Sequence, residues 1–117
     1  GFRSDVPALM KSMDLNILSS EYEGMSGVTL EALAAGVPFL GTDVLGINDI
    51  APDDRYLFKF GSTTQLKSKI GSIMADSALR TSMISEGLAK AEELDIYRTI
   101  KNHQSLYDSV GSSYADA

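Results

Sequence analysis

The sequence predicts an α/β fold in which crossover helices connect the strands of a parallel sheet. Two observations carry this. Short apolar runs of strand length, Leu15–Leu18, Val37–Gly41 and Tyr56–Phe60, alternate with segments that carry helix signals. From Thr63 onward the apolar residues change to helix spacing. Strands that alternate with helices are joined by crossovers, and crossovers build parallel sheets.

Each element has a local reason. Residues 5–13 read as a short helix that Ser4 or Asp5 caps, with Pro7 in its first turn, where a missing N–H costs nothing. Leu15–Leu18 follows as a strand. Ser19–Gly27 holds three serines and two glycines and reads as a loop. Val28–Ala35 is a compact helix stopped by Gly36. Val37–Gly41 is the next strand, with Pro38 near its start, where no ladder bond is lost. Thr42–Asp54 is a second loop with one helical turn near Asn48–Ile50, and Tyr56–Phe60 is a third strand. Three helical runs close the chain: Leu66, Ile70, Ile73 and Met74; then Leu79, Met83, Ile84, Leu88 and Ala91; then Ile96, Ile100, Tyr107 and Val110. Residues 1–110 read as one unit without repeats or an interior linker, and 111–117 as a small, polar, frayed tail.

Composition narrows the function. A chain of 117 residues can bury roughly two-thirds of its surface, enough for a core. Hydrophobic residues at 44% and charged residues at 22% are ordinary for a globular chain and argue against disorder. A net charge of −6 repels nucleic acid and anionic lipid, so neither is expected as a partner. No cysteine is present, which excludes disulfides and thiolate metal sites. No apolar run approaches the ~18 residues that span a bilayer, and no signal peptide is visible. The chain opens on Gly1 rather than Met, as expected for a piece of a longer protein.

Parallel sheets bind ligands outside the carboxyl ends of their strands, where Ser19–Gly27 and Thr42–Asp54 emerge. The first loop runs straight into a helix. A helix start carries unpaired N–H groups and the positive end of the dipole, which together suit a phosphate. Gly24 and Gly27 let a ligand approach the backbone. Glu23 precedes the helix and Glu31 lies within its first turns; carboxylates accept hydrogen bonds from sugar hydroxyls. Taken alone, an acidic residue near a helix start only complements the dipole, and two glutamates eight residues apart are a weak signal. Tyr22 reads as a loop residue packed on its neighbours, Glu21 and Asp53–Asp54 as solvated charges, the five methionines as core fillers, and His103 as a surface residue of the last helix.

The run from Ser20 to Asp43 resembles the retaining glycosyltransferases of family 4, which have the two-domain GT-B fold. Their signature is Glu, seven residues, Glu, followed by Glu-Ala-x-Ala-x-Gly-x-Pro; Glu23, Glu31 and the segment Glu31–Pro38 match it. Gly1–Asp5, Asp14–Ser20 and Thr42–Asp49 also read like the family. The departures are Met25 where an aromatic is frequent, Ser26 where a Gly follows, and Ser19 where a Pro is common.

The resemblance implies a Rossmann-like sheet that is the second half of the nucleotide-sugar-binding, C-terminal domain. It implies a hexosyltransferase-type enzyme of polysaccharide or glycoconjugate synthesis that moves a sugar from a nucleotide-sugar, UDP- or GDP-linked, with retention of configuration. Glu23 would be the catalytic residue and would contact the donor sugar. Glu31 would hold the ribose hydroxyls. Backbone N–H groups of Gly24, Met25, Ser26, Gly27 and Val28 would face the sugar and diphosphate, while Thr42, Asp43 and Gly46 would line the crevice. No cofactor and no metal are implied. The phosphate-binding Arg and Lys and the domain that takes the acceptor glycan or lipid would lie upstream, so this chain alone is expected to be inactive and to self-associate through an exposed sheet edge. The full-length protein would be cytoplasmic or peripheral at the membrane. The alternative reading is a non-catalytic nucleotide-binding or protein-interaction α/β module.

Overall fold

The computed structural model describes residues 1–115, with side-chain surroundings through residue 110. Its elements run α1 (Val6–Lys11), β1 (Asn16–Leu18), α2 (Gly27–Ala34), β2 (Phe39–Thr42), a 3₁₀ turn (Asp54–Tyr56), β3 (Leu57–Phe58), α3 (Thr63–Ala75), α4 (Ser77–Glu93) and α5 (Ile96–Ala115). The three strands are parallel in the order β1-β2-β3. The α/β class, the parallel pairing and the crossovers are as the sequence predicts.

The boundaries differ where backbone groups are claimed by something else. Asp5 stands at the N-cap of α1 but caps nothing; its carboxylate accepts from Arg3 at 2.8 and 2.6 Å. The strand expected from Val37 begins at Phe39, because residues 36 and 37 are still closing α2. Gly36 N–H donates to Leu33 O and Val37 N–H to Ala32 O, the double bond of a Schellman motif, with Gly36 at φ +69°. Tyr56 belongs to the 3₁₀ turn rather than to a strand, and Lys59 N–H donates to the Gln65 side chain, so β3 is only two residues long.

β2 is the central strand, and all four of its residues are buried. Phe39 and Leu40 form the middle of a core with Ala32 and Leu33 from α2, Ile47 and Ile50 from the second loop, Tyr56 and Phe58, and Ile73 and Met83 from α3 and α4. Among the methionines only Met10 and Met83 are core residues; Met13, Met25 and Met74 are exposed. Tyr56 is fully buried and its hydroxyl donates to Met83 O at 2.6 Å, which ties the start of β3 to α4.

The last apolar run forms a helix but not a buried one. Ile96, Ile100, Tyr107 and Val110 lie on α5, and all are exposed. α5 carries on through residues 111–115 of the expected tail, and residues 116 and 117 lie outside the described residues. Among the described residues no helix is long and apolar enough to cross a membrane.

Candidate functional site

Because the strands are parallel, β1 and β2 end on the same side of the sheet, and the two predicted loops leave it together. Thr42, at the end of β2, is buried and donates its hydroxyl to Ser20 O at 2.5 Å. This pins the start of the first loop to the sheet. Thr42 thus holds the wall of the site from behind, with its hydroxyl already engaged.

The first loop then enters α2. Ser26 is the N-cap: its buried hydroxyl accepts from Thr29 N–H at 3.3 Å and from the Thr29 hydroxyl at 2.9 Å. Thr29 N–H is thereby satisfied, while Leu30 N–H returns to Ser26 O. The N–H groups of Gly27 and Val28 remain as the open donors of the first turn, and both residues are exposed. Gly24 and Met25 are also exposed, Glu23 is half-buried, and Glu31 is exposed on the same helix. Tyr22 stands free at 84% exposure rather than packing on its neighbours.

The second loop folds back on the first. Its turn is closed by Ile47 N–H and Asn48 N–H on Val44 O, and by Ala51 N–H on Ile47 O, close to the helical turn expected there. Asp43 N–H donates to Phe58 O at 2.8 Å, and its exposed carboxylate accepts from Asn48 Nδ2. Gly46 is buried at φ +85°, and its Cα faces the carbonyls of Glu23 and Gly24 so closely that a Cβ would lie 1.6 Å from Gly24 O. Between the two loops and the α4–α5 corner is an apolar cavity of about 510 Å³, lined among others by Gly24, Met25, Leu30, Gly46, Asp49 and Leu94.

Residues 19–31 and 42–50 contain no Lys or Arg, but they contain Glu21, Glu23, Glu31, Asp43 and Asp49. Within these loops the start of α2 supplies positive potential. Among the described residues no group of three His, Asp or Glu side chains is placed to hold a metal ion. His103 is exposed on α5, hydrogen-bonded to Thr99 O.

The perturbed titrations are elsewhere: Asp5, which Arg3 holds below its ordinary range, and a cluster before β3. Asp53 is not a free solvated charge: its carboxylate caps the 3₁₀ turn and binds Arg55, whose guanidinium also reaches Glu86 and Ser82 on α4. The Arg55 contact holds the Asp53 carboxyl below its ordinary range. Burial, then the Glu86 charge, pushes the Tyr56 hydroxyl upward. The signal available in sequence was the Asp-x-Arg spacing of Asp53 and Arg55. This network braces β3 against α4, at the end of the second loop away from Thr42.

The glycosyl transferases group 1 family model matches residues 1–90. The chain is 30% identical over 113 residues to N-acetyl-alpha-D-glucosaminyl L-malate synthase of Bacillus anthracis, covering 94% of this chain and 30% of that protein. It is 28% identical over 112 residues to a Campylobacter jejuni N,N'-diacetylbacillosaminyl-diphospho-undecaprenol alpha-1,3-N-acetylgalactosaminyltransferase, covering 94% of this chain and 30% of that enzyme. The chain therefore spans less than a third of the length of these relatives. The crystal structure of the C-terminal domain of the group 1 glycosyl transferase LpcC from Francisella tularensis superposes with a TM-score of 0.70 at 26% identity, covering 80% of this chain and 50% of that one. The sheet and its helices thus share the fold of the C-terminal domain of a GT-B glycosyltransferase. On the family match and the shared fold, the chain belongs to the glycosyl transferases group 1 family.

Proposed function

We propose that this chain is the part of a family 4 enzyme that grips the nucleotide-sugar donor, in a hexosyltransferase that retains configuration. The observation that carries the reading is the start of α2: two open N–H groups, of Gly27 and Val28, at the carboxyl edge of a parallel sheet, with Glu23 before them and Glu31 one turn beyond. The diphosphate binds the helix start and the backbone of Gly24–Val28. Glu31 takes the ribose hydroxyls, and Glu23 takes the sugar and acts as the catalytic carboxylate. Asp43 lines the crevice beside them, on the wall that Thr42 supports. A UDP- or GDP-sugar is the donor, and neither metal nor cofactor is needed.

The two loops hold no cation, so Arg and Lys groups outside them complete the neutralisation of the departing diphosphate. The acceptor, a glycan or a lipid-linked sugar, is bound by another domain of the whole protein, and this chain alone is inactive. The diphospho-undecaprenol named for the Campylobacter relative favours a lipid-linked acceptor and a cytoplasmic protein peripheral to the membrane. The outer edge of β1, unpaired among the described residues, is where isolated chains self-associate.

The test uses the gene product that contains this chain, supplied with UDP- and GDP-sugars and a glycan or lipid-linked acceptor. Release of the nucleoside diphosphate measures transfer, and NMR of the product reads the anomeric configuration. Glu23→Gln is expected to lower kcat/KM by about 100-fold with the circular dichroism unchanged. Release that Glu23→Gln leaves unaffected contradicts the assignment, and no release with any donor supports a non-catalytic nucleotide-binding module instead.

A further inference from the structure

We infer that residues 43–49 form a brace that sets the position of the Glu23–Gly24 backbone, with Asp49 as its positioning residue. The consequence for donor binding rests on the function proposed above; the brace itself does not.

The contacts run in sequence from the sheet to the first loop. Asp43 N–H is fixed to Phe58 O at the end of β3. The Asp43 carboxylate accepts from Asn48 Nδ2 at 3.3 Å, across the turn. Three residues beyond Gly46, the Asp49 carboxylate accepts from Gly46 N–H, also at 3.3 Å. This bond helps to hold Gly46 at φ +85°, and in that conformation its backbone abuts Glu23 O and Gly24 O, with no room for even a methyl group. Among the described residues, the first loop is anchored by side-chain hydrogen bonds at its two ends, through the Thr42 hydroxyl on Ser20 O and the Ser26 cap. The contact of Gly46 therefore supports its middle, the part that presents Glu23 and Gly24.

Asp49 is exposed, and it also lines the 510 Å³ cavity that Gly24 and Met25 border. Its removal withdraws support from the loop without opening the core. A hydrogen bond to a charged group whose loss lets the loop wander is enough to shift affinity several-fold.

The experiment compares Asp49→Ala with Asp49→Asn, which keeps an acceptor oxygen for Gly46 N–H. In this chain, NMR of the Glu23, Gly24 and Met25 amides should show displaced and exchange-broadened signals for Asp49→Ala, largely restored in Asp49→Asn. In the gene product that carries the chain, Asp49→Ala should raise the donor KM by about five- to tenfold and lower kcat, since Glu23 is displaced, with the acceptor KM within about twofold. Changes confined to residues 43–50, or an Asp49→Asn as perturbed as Asp49→Ala, would overturn the brace. Displaced amides with an unchanged donor KM would uphold the brace and count against the donor-site reading, so the two failures are distinguishable.

Discussion

Gly46→Ala is expected to destabilise the chain by about 3 kcal/mol and to dislodge the first loop. Two costs combine. Gly46 sits at φ +85°, where an L-residue pays about 1–2 kcal/mol. The added methyl would also lie 1.6 Å from Gly24 O and 2.9 Å from Glu23 O, so one loop must move. Forced overpacking of this kind costs a further 1–3 kcal/mol or about that. Gly36 separates the two effects. It has φ +69°, but the nearest atom to an added methyl is 3.8 Å away. Gly36→Ala should therefore pay only the conformational part, about 1 kcal/mol. Urea titration of both variants measures the difference, and equal losses would mean that the approach of Gly46 to the first loop is not as tight as described.

Phe39→Ala should be costlier still, by about 3–5 kcal/mol. Phe39 is fully buried on the central strand, and its ring fills the space above Gly41, where an added Cβ would lie 2.8 Å from two ring carbons. Alanine leaves a cavity between α2, β2 and the second loop, the three elements that place both site loops. Marginal stability of about 5–15 kcal/mol is usual for folded domains, so the loss is a large share of the total. The urea midpoint should fall with an unchanged slope, because a truncated core shifts stability rather than the surface exposed on unfolding. A loss under about 1 kcal/mol would remove Phe39 from the centre of the core.

How much of this was legible in the sequence differs between pattern and contact. Alternating strand and helix signals read correctly as a parallel α/β sheet, because each reflects local periodicity. Gly36 read correctly as a helix stop, because the residue type and the left-handed backbone coincide. The strand start at Val37 was misplaced, since the helix still claims its N–H, and that is a matter of backbone geometry rather than residue type. Tyr56 looked like a strand residue because aromatic residues favour strands, but its hydroxyl sits against α4, 27 residues along the chain. Asp53 looked solvated although its partner Arg55 stands two residues along; Glu86, which Arg55 also binds, joins the network only in the fold. The apolar run of α5 read as a helix and is one, but it is exposed, because spacing reports a stripe and says nothing of what covers it.

The site divides in the same way. Glu23, Glu31 and the two glycines between them were visible as residue types in a loop before a helix. The role of Thr42, which pins the loop from behind, is tertiary, and that of Asp49, which holds Gly46 three residues away, depends on how the turn folds against the first loop. No spacing in the chain announces them.

The central claim is that the start of α2, with Glu31 beside it, binds the nucleotide part of a sugar donor. NMR titration of this chain with UDP, GDP, ADP and their sugar conjugates, beside a Glu31→Ala control, tests it most directly. The account predicts shifts centred on Gly24–Glu31 that are lost or much weakened in the control. A folded chain whose shifts fall elsewhere, or are unchanged in Glu31→Ala, would contradict it.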